Sequence, residues 1–451
     1  MWMIALWAIL IPLLAIAAGW LRPRRDVFLL LVYAQSIIYI DIAPTLASSD
    51  VNATMQARYV WVQAFVLGLF QLPLILLYCA TMRRRRRRYG DERTFDVSRW
   101  RLATFVVVCT LHGIAYFVIA AKYGLLYRRV ADELPTIQLS MSLVEFAIYR
   151  SFIELGPFLI AAQLVLLRTH PPMSRGVAWT ARAGLAITTL LFLAYAMVNS
   201  RLYSIMVIAM LLGVVSVTSS GERRLRPTTI LAIMIAGLGC LYVIRVVNGV
   251  RASFASGRSL ASLDNFLPFS SARSSTPDDE YRWRLNGVDL IAMIADNVEA
   301  QGPAMGSAWA VPFILSLDPI VKTPFTTEAK RASLTTAKTW LLLRYAGVSK
   351  ADYYSCMLSD AYGNFAVFGF LFAAAIVGVV LATATAALRW SPAPAALLFA
   401  IFALERILPF EQGLETILFG WLKLVPFVIA FLLIFPLRRS HHQTQALSFE
   451  V

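Results

Sequence analysis

Residues 59–88 read YVWVQAFVLGLFQLPLILLYCATMRRRRRR. An apolar run ends abruptly on six consecutive arginines, Arg83 to Arg88. About 17–25 apolar residues cross the hydrocarbon core of a bilayer as a helix, and short Arg-rich connections stay in the cytoplasm. This stretch therefore predicts both a membrane span and its direction.

Outward from it the pattern repeats. Eleven apolar stretches lie near 2–20, 27–45, 59–81, 102–121, 150–167, 183–199, 202–218, 229–247, 361–387, 395–411 and 417–437. Every second connection is basic. Arg22, Arg24 and Arg25 follow the first stretch, and Arg93, Arg99 and Arg101 extend the run after the third. Arg168, Arg175 and Arg182 follow the fifth, Arg223, Arg224 and Arg226 the seventh, Arg389 the ninth, and Arg438 and Arg439 the last. These segments hold 21 Arg against six acids, so they carry the whole net charge of +15. The expected fold is an all-α polytopic membrane protein with about eleven transmembrane helices. Its N-terminus is periplasmic and its C-terminus cytoplasmic. Residues 1–247 form a membrane domain of eight spans, 248–360 a large periplasmic loop, and 361–451 three spans with a cytoplasmic tail.

Composition excludes several classes. A pI near 9.9 suggests nucleic acid in a soluble protein. Here Arg83–Arg88 lacks the aromatic interleaving that binds single strands, and it reads as an anchor facing anionic lipid heads. A hydrophobic content of 59% leaves no room for a large soluble domain. The first stretch has no preceding basic residue and no small-residue cleavage site, so it reads as a retained span. Cys79, Cys109 and Cys240 fall inside spans and only Cys356 outside, which rules out a disulfide framework there. No Cys or His pair has metal-ligand spacing, so neither metal nor cofactor is expected. No internal repeat is visible, which argues against transporters built from two halves.

Two outer connections are long, Lys122 to about Tyr149 and Asn248 to Asp360, and long loops are usually functional. The second holds 113 residues with 11 basic and 11 acidic side chains, a balance expected of a folded segment. Ser253 to Thr276 is Ser/Ala/Arg-rich and reads as mobile. Asp278 to Glu299 reads as an amphipathic helix, since Leu285, Val288, Leu290, Ile291 and Ile294 recur at helical spacing. Trp309 to Ile320 is apolar, broken by Pro312 and Pro319, and too short to span. Thr336 to Arg344 reads as a short interfacial helix with Trp340 at head-group depth.

Ionisable residues cluster at the outer ends of spans, where they are costly unless they face a cavity or a partner. They are Arg150 and Glu154, Arg201, Arg245, Arg251, Asp360, Glu405 and Arg406, with Glu411 and Glu415 just beyond, and Lys423. Each has a plain structural alternative. Arg201 caps a helical hairpin, Arg150–Glu154 and Glu405–Arg406 are ion pairs, and Asp360 caps the helix that follows. Taken together, several arginines and carboxylates on one membrane face suit an anionic lipid-linked substrate, because guanidinium forks hold diphosphate oxygens bidentately. The diphosphate candidates are Arg201, Arg245 and Arg284, followed by Arg251, Arg282 and Arg344. The candidates for a carboxylate base are Asp289, Asp360 and Glu405.

Four elements carry a family resemblance: Ser200-Arg201 between two spans, Arg284-Leu-Asn-Gly-Val-Asp289, Gly306-Ser-Ala-Trp309…Val-Pro312…Asp318-Pro…Lys322-Thr-Pro324, and Asp360-Ala-Tyr-Gly-Asn364-Phe365…Gly369. In order and topology they resemble the bacterial oligosaccharide repeat-unit polymerases of the Wzy type, over roughly residues 195–390. The chain departs from the pattern at Phe313, where Arg is frequent, and at Ala366, where Gly is usual. The first departure removes one phosphate contact, and the second is read as a change in helix packing. The resemblance implies a glycosyltransferase C-like enzyme of the bacterial inner membrane. It would transfer a growing polysaccharide from undecaprenyl diphosphate to a fresh lipid-linked repeat unit at the periplasmic face. Its implied partners are the undecaprenyl-diphosphate-linked oligosaccharide, membrane lipid and a chain-length-regulating membrane protein, with no nucleic acid. Competing classes are a lipid-linked oligosaccharide flippase, an O-antigen ligase, a polyprenyl-phosphate mannosyltransferase and a purely structural membrane protein. The ligase is disfavoured because His112 lies in a span and His170, His441 and His442 on the cytoplasmic side. The mannosyltransferase is disfavoured because Asp41 and Asp50 are too far apart for paired acids.

Overall fold

A computed structural model describes residues 1–23, 25–48, 51–88, 99–124, 140–169, 175–199, 213–214, 217, 286–316, 336–347, 356–390, 394–410, 413–424 and 429. These residues are mostly helical, and no strand occurs among them. Four helical stretches are long and apolar enough to cross a membrane: Val27–Leu46, Ala53–Arg85, Ala103–Lys122 and Phe368–Trp390. They match the second, third, fourth and ninth predicted spans. The seventh, eighth and eleventh predicted spans lie largely outside the described residues.

The N-terminal helices are α1 (Trp2–Ala17), α2 (Val27–Ser36), α3 (Ala43–Ala47), α4 (Ala53–Val66) and α5 (Leu72–Arg88). A π-helical turn at Ile37–Ile42 joins α2 to α3, and another at Leu67–Gln71 joins α4 to α5, so each pair is one continuous rod. There follow α6 (Arg99–Lys122), α7 (Leu143–Thr169) and α8 (Arg175–Asn199). The later helices are α9 (Gly287–Gln301), α10 (Ser307–Ser316), α11 (Ala337–Leu341), α12 (Met357–Phe365), α13 (Phe368–Trp390), α14 (Pro394–Ile407) and α15 (Leu414–Phe419).

The chain divides into two compact units, 97–275 and the remainder. In the first, α6 packs on α7 and α8. Tyr116 stacks on both Tyr149 and Phe152, and His112 Nε2 lies 2.8 Å from Ser151 Oγ. The start of α7 is capped reciprocally: Glu145 N–H donates to Ser142 Oγ, and Ser142 N–H donates to the Glu145 carboxylate. That arrangement satisfies two otherwise orphaned helix-end donors.

In the second unit α13 lies along α5 and α14. Gly378 makes the α5 contact close, since a Cβ there would sit 3.3 Å from Leu74 O. The two π turns bury a polar cluster among apolar helices. Gln71 Nε2 donates to Asp41 Oδ2 at 2.6 Å, and Gln63 Nε2 donates to the Ile40 and Asp41 carbonyls at 3.1 Å. A π turn widens the helix by one residue, and here the two turns bring side chains of three rod segments into one set of hydrogen bonds.

The membrane stretch at Phe368 begins later than its apolar composition suggests. Residues 361–365 belong instead to the separate helix α12, and the chain breaks at Ala366. Ala366 has φ 49° and ψ −143°, a region that L side chains rarely occupy. Ala366 is thus a matter of backbone strain and not, as the sequence suggests, of helix packing. The break also explains Gly369: a Cβ there would meet Ala361 O at 2.0 Å. Strain of order 1–3 kcal/mol exceeds the roughly 0.4–1 kcal/mol that glycine costs through the unfolded chain. Ala366→Gly is therefore expected to raise the midpoint of thermal unfolding in detergent, and a lowered midpoint would contradict the strain.

Candidate functional site

Helix α9 is set in place by its apolar face. Val288, Ile291, Ile294 and Val298 are buried, and the helix packs on α4 and α12. Each such side chain contributes about 1.5–3 kcal/mol. The ion pair between Arg58 on α4 and Asp296 on α9 has exposed partners and contributes roughly 0–1 kcal/mol. Packing therefore positions α9. Arg58 adds orientation, and its Nη1 also donates to Ala292 O at 3.2 Å.

The N-terminus of α9 carries a short relay. Asn286 caps the helix by accepting from Val288 N–H at 3.2 Å. Its Nδ2 donates to Tyr59 Oη at 3.1 Å, and Tyr59 O–H donates to Asp289 Oδ1 at 2.9 Å. Asp289 is half-buried. Burial raises its carboxyl above the usual range, and the Tyr59 hydrogen bond opposes that shift. Asp289 Oδ2 has no hydrogen-bond partner among the described residues.

A second cluster fastens three helices. Trp309 Nε1 on α10 donates to Asp360 Oδ1 at 2.8 Å. Asn364 Nδ2, one turn along α12, donates to the same oxygen at 3.0 Å. Glu415 N–H, from the start of α15, donates to Asp360 Oδ2 at 3.2 Å. Asn364 Oδ1 in turn accepts from Gly306 N–H at 3.1 Å. Asp360 is 3% exposed and Glu415 6%. Burial raises the pKa of both carboxyl groups, and the neighbouring Asp360 charge pushes Glu415 well above the carboxylate range.

The sign of the resulting pH dependence follows. Above about pH 4.3 an unfolded Glu has released its proton, whereas the folded Glu415 retains it. Stability therefore falls as pH rises from that value towards the raised folded value. Glu415→Gln keeps the shape of the side chain without a titrating group. Its thermal midpoint is expected to decline less with pH over that window than that of the parent chain. Parallel profiles would contradict the raised Glu415 value.

The sequence-derived candidates divide clearly. Asp289 sits in the relay. Asp360 is enclosed and fully engaged, and it is not the cap of its helix, since Cys356 occupies that position with Ser359 completing the capping box. Glu405 is buried on α14, and the guanidinium of its neighbour Arg406 lies over the Phe402 ring, 5.0 Å from the centroid. Arg344 lies over the rings of Trp340 and Tyr345. Phe313 packs edge-on against Phe419. Arg201, Arg245, Arg251, Arg282 and Arg284 lie outside the described residues. Sequence reasoning missed Arg58 and Tyr59. Arg58 precedes the third apolar stretch by one residue, which was a usable signal. Tyr59 opens that stretch and carries no signal of its own.

The site end and the arginine-rich end are opposite ends of one rod. A rise of about 1.5 Å per residue separates Tyr59 from Arg83 by roughly 36 Å, more than the roughly 30 Å hydrocarbon core. Arg22, Arg25, Arg83 and Arg389, which belong to three separate basic connections, line one cavity at the far end. Comparison of the chain with protein-family models, with characterised proteins and with solved structures finds no match.

Proposed function

We propose that the chain is a polysaccharide polymerase of the inner membrane, joining undecaprenyl-diphosphate-linked repeat units at the periplasmic face. The observation that carries this reading is Asp289. It is a half-buried carboxylate with a raised affinity for protons, held on one oxygen by Tyr59 and with no partner on the other among the described residues. A base matched to its task has such a shifted value. Two further sequence elements, around Trp309 and Asp360, meet beside α12 and lend support. In the proposed reaction the acceptor hydroxyl gives its proton to Asp289 Oδ2 while its oxygen attacks the anomeric carbon of the donor sugar. The bond from that carbon to the diphosphate breaks, and undecaprenyl diphosphate leaves with the electron pair. Arginines among Arg201, Arg245, Arg251, Arg282, Arg284 and Arg344 stabilise the charge that develops on it.

Asp41, buried within the candidate span Val27–Leu46, favours a second reading, movement of the same lipid across the membrane, because an acid inside a span often marks a transport path. Deleting the chain in its host separates the two. Loss of a polymerase leaves single repeats on the final acceptor, whereas loss of a flippase leaves repeats stranded on the cytoplasmic leaflet. Full-length polymer in the deletion strain would contradict both.

A further inference from the structure

We propose that the cavity at the arginine-rich end is a binding site for the phosphate of an anionic phospholipid head group. It lies opposite the Asp289 site and does not depend on the glycosyl-transfer reading. Its volume is about 190 Å³, and its walls include Arg22, Arg25, Arg83, Arg389, Trp20 and Trp390. These residues come from the start of the chain, the end of the long rod and the end of α13. The packing of α13 on α5 thus brings together charges that are far apart in sequence.

Asp26, the acid among the lining residues, offsets one of the four arginine charges at most, so the cavity stays cationic; its oxygens are held by Tyr78 O–H on Oδ1 at 2.8 Å and by the Arg22 backbone N–H on Oδ2 at 2.7 Å. Among the described residues no ion pair engages Arg22, Arg25 or Arg83. Converging arginines prefer phosphate because their donor forks match its oxygens. A cavity of this size takes a head group and not a polymer.

The surroundings select a lipid over free phosphate. Trp20 is 53% exposed, and Arg389 lies over the Trp390 ring at 5.1 Å, as expected of aromatic residues at head-group depth. On α1, which leads into the cavity, Leu13 and Leu14 are exposed. They offer an apolar track for acyl chains below the phosphate.

Native mass spectrometry of the purified full-length chain tests this. The probes are phosphatidylglycerol, phosphatidylcholine and inorganic phosphate, applied to the parent chain, to Arg22→Gln/Arg389→Gln, and to the control Arg175→Gln/Arg182→Gln. The control removes as much positive charge outside the cavity. Phosphatidylglycerol is expected to be retained by the parent and the control. The cavity variant should bind it roughly 10- to 30-fold more weakly, as two lost lipid-facing arginines imply. Equal retention by the cavity variant, or equal loss by the control, would overturn the site. Displacement by equimolar inorganic phosphate would make it a free-phosphate site. Should the cavity variant fail to fold, the parent decides alone: phosphatidylcholine retained as well as phosphatidylglycerol sinks the proposal.

Discussion

Asp289→Asn is expected to lower polymer formation by roughly 10²- to 10⁴-fold, an added barrier of about 2.7–5.4 kcal/mol, while protein abundance stays normal. The amide keeps the size of the side chain and still accepts from Tyr59 O–H, so the start of α9 stays closed on α4. What it loses is the capacity to take a proton. The pH profile carries a second signature. Asp289 acts as a base only when ionised, and burial raises its pKa, so the parent rate should fall as pH drops through a value above the ordinary Asp value of about 3.9. Tyr59→Phe removes a hydrogen bond that favours the charged form. Its acid limb should therefore move to higher pH with the rate largely retained above it. Normal polymer from Asp289→Asn at normal abundance would remove this residue from the chemistry.

Asp360→Ala is expected to fail differently, by loss of the folded protein. The substitution strips acceptors from Trp309 Nε1, Asn364 Nδ2 and the Glu415 N–H at once. Each buried donor left unpaired costs about 1–3 kcal/mol, and removing one member of a buried charged network costs about 3–5 kcal/mol. That is a large share of the 5–15 kcal/mol by which domains are stable. Abundance in the membrane and the thermal midpoint in detergent should both drop. The conservative Asp360→Asn keeps one acceptor oxygen and should lose less. If Asp360→Ala accumulated normally and only polymer were lost, Asp360 would return as a candidate base.

These two carboxylates show what the sequence could and could not convey. Helix α9 was legible because its buried positions repeat at helical spacing, but Asn286 caps it, so it starts at Gly287 and not at Asp278, and it runs two residues past Glu299. The short helix predicted over Thr336 to Arg344 was legible too: Thr336 caps α11, and a π turn carries it on to Ala346. Periodicity ends there. Nothing in the local sequence says that Tyr59 stands over Asp289, 230 positions away, or that Glu415 closes on Asp360 from a different helix. Such contacts depend on which helices neighbour which, and apolar composition carries little of that information. Asp289 and Asp360 look equivalent as isolated acids, and only their surroundings separate a half-buried carboxylate from a buried fastener. The break at Ala366 was hidden because the apolar run continues through it. Only the backbone reveals that the membrane stretch begins at Phe368.

The most direct test of the central claim is a reaction with defined components. The purified chain in liposomes is given undecaprenyl-diphosphate-linked repeat units on the outward-facing leaflet, where the Asp289 end is exposed. The account predicts a ladder of lengthened lipid-linked polymer with release of one undecaprenyl diphosphate for each unit added, and no ladder from Asp289→Asn. Repeat units that cross to the other leaflet unchanged, with no undecaprenyl diphosphate released, would contradict it.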